Sequence, residues 1–202
     1  MADSSQARRF DRQRPLVLIG SAAMLVISSG GIYMIVVALK EIALDFGWPR
    51  AVPSFAVSLQ FIGSGLGGIA MGWWMDKRGV VQPVLFGSVM ISLGAIVVSQ
   101  SDDRWDFYVA NGLLIGLLGM AAMVAPLIAN ATRWFDRRRG LAVAIIASGQ
   151  GVAGVIWPPV VHYLNDLIGW RETYFYFGIF VLVTMVPLAL LLRHKPVAAS
   201  AD

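Results

Sequence analysis

Apolar residues along this chain come in long unbroken blocks and do not alternate with polar ones. The blocks fall near 16–38, 51–75, 80–99, 107–132, 141–164 and 173–192. Each approaches or exceeds the roughly 20 residues that carry an α-helix across a bilayer. None contains Asp, Glu, Lys or Arg. A charge at the centre of an inserted helix costs about 2.5–3.5 kcal/mol, so the pattern predicts six transmembrane helices. Helices of a soluble core would carry a polar face, and these blocks have none. The loops between them are short, so consecutive helices run antiparallel and pack as neighbours.

Composition agrees with that reading. The chain is 57% hydrophobic and 14% charged, with a mean hydropathy of +0.70, against about 25% charged residues in an ordinary soluble domain. The charges lie between the blocks and are sorted. With the N-terminus inside, inside segments hold Arg8, Arg9, Arg12, Arg14, Lys77, Arg78, Arg133, Arg137, Arg138, Arg139, Arg193 and Lys195. Outside segments hold Lys40, Arg50, Arg104 and Arg171. The positive-inside rule selects this orientation and puts both termini in the cytoplasm. The expected organisation is a cytoplasmic tail over 1–14, a six-helix bundle over 15–195 and a cytoplasmic tail over 196–202. Basic clusters at the membrane ends of helices are topology signals, not a nucleic-acid footprint. The first apolar run is too long for a signal peptide and is expected to be retained as a span.

Candidate chemistry is sparse. Cysteine is absent, which excludes disulfides and thiolate chemistry. His162 and His194 are placed at opposite membrane faces, and neither a metal-ligand cluster nor a phosphate-binding loop is present. The expectation is a protein without cofactor or metal that is not an enzyme. Within the spans the polar side chains are Tyr33, Gln60, Asn111, Ser148, Gln150 and Trp157. Two readings compete. Such groups serve as interhelical glue, at roughly 0.6 kcal/mol per contact, or they line a water-filled cavity. Their concentration on helices 1, 2, 4 and 5 points to a cavity there, with helices 3 and 6 outside. Gly63, Gly65, Gly67, Gly68 and Gly72 on helix 2 suit close helix packing. Gly149, Gly151, Gly154, Pro158 and Pro159 on helix 5 suit either packing or helix bending. Trp48, Trp73, Trp74, Trp105, Trp134 and Trp170 fall at span ends, where indoles favour the headgroup layer.

The stretch GWWMDKRG at 72–79 sets Gly72, Asp76, Lys77 and Gly79 between helices 2 and 3. It resembles the loop signature of the major facilitator superfamily, although Val80 and Val81 replace the basic residues that usually follow. The helix 5 stretch GQGVAGVIWPP loosely resembles the family's glycine-proline motif. DFGWPRA (45–51), RWFDRRRGLA (133–142) and GWRETY (169–174) look like its monocarboxylate and oxalate/formate branch. The resemblance covers residues 15–195 and corresponds to the first six-helix half of the family fold. It implies an all-α membrane protein of six helices in two inverted three-helix repeats. A shift of 90 residues pairs Ser58 with Ser148, Gln60 with Gln150, Asp76 with Asp166 and Gly79 with Gly169, identities close in number to chance. Where relatives place a helix 4 arginine for proton coupling, the nearest residue is Asn111.

The implied function is secondary active transport of a small organic solute, a carboxylate among the candidates, by alternating access. The implied setting is the bilayer of a plasma membrane, a bacterial inner membrane in expectation. The family fold needs twelve helices, so the chain is expected to work as a homodimer or with a missing second half. The alternative is a non-transporting, truncated or regulatory half. In this frame Asp76, with Gly72, Lys77 and Gly79, is expected to gate against Arg137, Arg138 and Arg139 of the facing unit.

Overall fold

The computed structural model describes residues 2–134 and 139–192. They form six long helices: α1 (Ala2–Asp45), α2 (Ala51–Arg78), α3 (Val81–Ser99), α4 (104–134), α5 (Arg139–Ile168) and α6 (Trp170–Leu191). All six are long and apolar enough to cross a membrane, α1 through its Val17–Asp45 portion. Each apolar block of the sequence lies within one helix, except that the block at 80–99 starts one residue before α3 and the block at 173–192 runs one residue past α6. The fold is therefore all-α, an arrangement of six membrane-spanning helices.

Glycine sets the tight turns. Gly79 closes α2 at φ +83°, ψ 170°, and its N–H donates to the Met75 carbonyl at 2.7 Å. Gly169 joins α5 to α6 at φ +85°, ψ 162°, donating to Asn165 O at 2.9 Å. That region of backbone space is open to glycine almost alone. The two turns are 90 residues apart.

The closest helix pairings are α1 with α5, α2 with α4 and α3 with α6. Glycines make them possible. A Cβ on Gly63 would stand 2.6 Å from Gly112 O, and one on Gly116 2.8 Å from the Gln60 Cα. A Cβ on Gly149 would stand 2.9 Å from Ala22 O, and one on Gly178 2.9 Å from Ser92 O. Burial follows the 90-residue register. On α2 and α5 the buried pairs are Val52/Ala142, Ala56/Ile146, Gly63/Ala153, Gly67/Trp157, Met71/Val161 and Met75/Asn165. On α3 and α6 they include Val84/Tyr174, Gly87/Phe177, Ile91/Val181 and Ala95/Met185.

Four features differ from the sequence reading. The closest pairings join helices that are not consecutive in the chain, whereas consecutive α1–α2, α2–α3 and α5–α6 touch less. Within the bundle α3 is well enclosed, half of its most apolar stretch being buried, while α2 and α5 are the least enclosed at 28% each. α3 packs on α4 and α6 together, whereas α2 and α5 each lean mainly on one neighbour. Trp134 and Trp170 are buried inside the packing; Trp73 and Trp105 remain exposed at opposite ends, where headgroup contact suits them. Finally, α4 is α-helical at Arg104–Tyr108 and Ala121–Trp134 but a π-helix over Val109–Met120, with the Ala121 N–H reaching back to Gly116 O. π segments recur at functional sites, and nothing in the local composition signals this one.

Candidate functional site

The six polar residues singled out within the spans separate into two groups. Gln60 and Asn111 are fully buried between helices. The Gln60 Nε2 donates to Asn111 Oδ1 at 2.9 Å and approaches Gly31 O at 3.4 Å, while Asn111 Nδ2 donates to Phe107 O at 2.8 Å. This network ties α1, α2 and α4 together, as the glue reading expects. The Gln60 Oε1 is buried with no hydrogen-bond partner among the described residues.

Ser148 and Gln150 lie on the exposed side of α5. The Ser148 hydroxyl donates back to Ile145 O at 2.7 Å. Tyr33 is half-buried, and a Cβ on Gly154 would stand 2.7 Å from its hydroxyl, so the phenol crosses α5 at a glycine. Trp157 turns inward, and its indole N–H donates to the Val26 carbonyl of α1 at 2.7 Å.

The glycines divide in the same way. Gly63, Gly67, Gly149 and Gly154 meet a neighbouring helix, whereas Gly65, Gly68, Gly72 and Gly151 open onto free space. α5 runs as one helix through Pro158 and Pro159. The exposed faces of α2 and α5 thus combine large apolar side chains with small and polar ones. Ser54, Ser58, Gly65 and Gly68 lie among Phe55, Phe61, Ile62 and Leu66 on α2. Ser148, Gln150 and Gly151 lie among Ile145, Val152, Val155 and Ile156 on α5.

At the α2–α3 loop Asp76 and Lys77 are exposed, and Lys77 Nζ sits 3.8 Å above the Trp73 ring. Arg139 opens α5 and is exposed. Arg137 and Arg138 lie outside the described residues.

One hub at the opposite end escaped the residue-by-residue reading. The motifs DFGWPRA and GWRETY meet in space. Arg171 Nε lies 3.3 Å from Asp45 Oδ2, and its Nη1 donates to Ser99 O at 3.2 Å and Ser101 O at 2.9 Å. Its guanidinium covers the Trp170 and Phe46 rings at 4.6 and 4.9 Å. Phe46 stacks on Trp48 at 4.0 Å. The cation therefore caps the C-terminal ends of α1 and α3 and fastens α6 to both. The available signal was a cation flanked by aromatics at a helix start, repeated across two loops.

Comparison with known proteins gives one family. The family model described as Major Facilitator Superfamily matches residues 19–202. The chain is 31% identical over 139 residues to MFS-type transporter pynF of Aspergillus niger, covering 69% of this chain and 32% of that protein. It is 32% identical over 160 residues to Monocarboxylate transporter 11 of Mus musculus, covering 79% and 33%. It is 28% identical over 167 residues to Monocarboxylate transporter 13 of Bos taurus, covering 82% and 36%. The chain spans about a third of the length of these relatives.

Proposed function

The chain belongs to the Major Facilitator Superfamily, and on that premise we propose that it is the six-helix half of a secondary transporter. It moves a small organic solute by alternating access, against a second six-helix unit that is either another copy or the remainder of a longer chain. The family is one of transporters, not of catalysts, and the reading needs no cofactor.

The observation that carries it is the exposed polar and small stripe on α5. Gln150 is exposed, and its amide has no hydrogen-bond partner among the described residues. An amide facing hydrocarbon without a partner costs several kcal/mol, so the stripe is better matched to a protein-lined, wet cavity than to lipid. The corresponding stripe on α2 supports the same apposition. The 90-residue register of burial and the matching glycine turns support an inverted three-helix repeat, α1–α3 against α4–α6.

Names of relatives suggest a monocarboxylate, and the branch motifs agree. No Lys or Arg lies within the six apolar blocks, so a carboxylate would take its counter-charge from the second unit. The same lack of charge favours the rival reading, a non-transporting half, because ion coupling commonly uses an intramembrane charge. In cells that take up a solute through this protein, Gln150→Leu should lower uptake at least fivefold with folded yield unchanged. Gln60→Leu should act the other way, lowering folded yield by breaking the buried network. Uptake unaffected by Gln150→Leu would remove the α5 stripe from the pathway.

The cation distribution supports cytoplasmic termini; the reading places the chain in a plasma membrane, the bacterial inner membrane, with the tails and bundle divided at 14 and 195. On that side Asp76 docks on the N-terminus of the α5-equivalent helix of the second unit, helped by Arg137, Arg138 and Arg139. Gly72 and Gly79 let the loop approach. A partly buried contact between a carboxylate and a helix N-terminus is worth up to about 2 kcal/mol, or about thirtyfold in a two-state equilibrium. Pairing in solvent would be worth about 0–1 kcal/mol. A cysteine at Gln100 should react with an impermeant thiol reagent on intact cells and one at Arg78 should not; the reverse pattern inverts the orientation. Asp76→Asn should speed labelling of a cavity cysteine from the cytoplasmic side severalfold, and an unchanged rate would reduce the loop to a topology signal.

A further inference from the structure

A cavity of about 250 Å³ lies between α5 and α6, floored by Met34 of α1 and walled by Trp157, Leu164, Tyr176, Phe177 and Phe180. The 90-residue register explains why it is there. In the first three helices Trp74 packs on Phe86, ring centroids 5.3 Å apart, and fills the seam between α2 and α3. The corresponding residues of the second three are Leu164 and Tyr176. Leucine in place of an indole leaves the seam unfilled.

We propose that this cavity is a binding site for a neutral, lipid-soluble aromatic molecule of one or two rings. The site is independent of the transport reading. No Asp, Glu, Lys or Arg lines the cavity, so a charged ligand would be desolvated without compensation. The polar atoms of the wall are largely spent. The Trp157 N–H is held by Val26 O at 2.7 Å, and the Thr173 hydroxyl donates to Gly169 O at 2.7 Å. That leaves the Tyr176 hydroxyl as the remaining side-chain donor. The wall otherwise offers ring edges and faces. Phe177 and Phe180 stand edge-on to Trp157, with centroids at 5.2 and 6.0 Å. A further ring continues that edge-to-face arrangement, whereas an acyl chain gains nothing from it. Size permits a ring, because an enclosed apolar cavity of about 150 Å³ takes up benzene and this one, open on one side, holds about 250 Å³. Tyr176 and Phe180 are exposed at the rim, so a ligand enters from the hydrocarbon layer.

The test is photolabelling of the full chain in phosphatidylcholine nanodiscs with benzophenone, mapped by peptide mass spectrometry. Label should concentrate at 157–180 and fall at least tenfold when naphthalene is added. Leu164→Trp, which supplies the indole that the first three helices have, should lower labelling by a similar factor. If that variant folds poorly, the naphthalene arm on the parent chain decides alone. Label spread evenly over positions such as Leu182 and Val183, insensitive to naphthalene, would overturn the proposal. Dodecane competing as well as naphthalene would also overturn it, because the occupant would then be a lipid chain. Loss of label only when two copies associate would assign the cavity to a partner helix instead.

Discussion

Gly67→Val should abolish folded protein, while Gly68→Val, one residue along the same helix, should leave the six-helix unit intact. A Cβ on Gly67 would overlap the Leu117 carbonyl oxygen of α4 and stand 2.7 Å from the Ala121 Cβ, whereas one on Gly68 meets nothing within 4 Å. Overpacking usually costs about 1–3 kcal/mol because side chains shift to absorb it. Here the obstacle is backbone, and α4 is itself held by Gly112 and Gly116 against Leu59 and Gln60. Relief would require the two helices to part along their length, so the cost should exceed about 3 kcal/mol. Fluorescence-detected size exclusion of the two variants reads the difference. Similar yields for both would mean that the α2–α4 seam is loose and that the register assigned to it is incorrect.

Arg171→Met should give the next largest loss of stability. Methionine keeps apolar bulk but leaves the Ser99 and Ser101 carbonyls without their donor and Asp45 without its cation. Hydrogen bonds from a charged group are worth about 1.5–3 kcal/mol each in net terms. The arginine side chain is only partly buried, at 31% relative exposure, so water replaces part of the loss. A net cost of about 2–3 kcal/mol is the expectation. Arg171→Lys should recover only part of it, since an ammonium lacks the planar fork that reaches two carbonyls and a carboxylate together and stacks less well on Phe46 and Trp170. Thermal unfolding of the three proteins in one detergent provides the ranking. Equal midpoints for methionine and arginine would show that the aromatic stack alone holds this end.

The division between what was legible in the sequence and what was not follows from the range of the forces involved. Six spans were legible because the cost of placing a charge in hydrocarbon acts locally, residue by residue. The turn at Gly79 was partly legible, as a glycine in the charged loop between helices 2 and 3, while Gly169 stood out only as its partner in the 90-residue shift. The facing of polar side chains was not. Gln60 and Gln150 occupy equivalent places 90 residues apart, yet one is buried and the other exposed. Burial on α5 falls instead on Gly149, whose missing side chain lets Ala22 approach. Helix rotation about its axis is fixed by such contacts with distant helices, and periodicity does not report it when a helix is apolar all round. The hub at Arg171 joins Asp45 and Arg171, 126 residues apart. Its two motifs were visible separately, but their meeting depends on how α1, α3 and α6 end at one level. The π segment of α4 was invisible as well: Gly63 and Gly67 of α2 close on it at Gly112 and Leu117, a tertiary contact with no local marker. The family resemblance was legible in the motif order along the chain, which needs no knowledge of rotation, and the family match over residues 19–202 shows membership.

The central claim is that the polar stripe of α5 faces a second six-helix unit and water, not lipid. A spin label at Gln150, in the full chain in liposomes, tests it through collision with molecular oxygen, which concentrates in hydrocarbon, and with a neutral nickel chelate, which stays in water. A label at Val183 on α6, 64% exposed, serves as the lipid-facing reference. The account predicts that position 150 collides less with oxygen than position 183 and more with nickel, or is shielded from both. Oxygen collision at 150 as high as at 183, with nickel excluded, would place Gln150 in the bilayer and contradict the account.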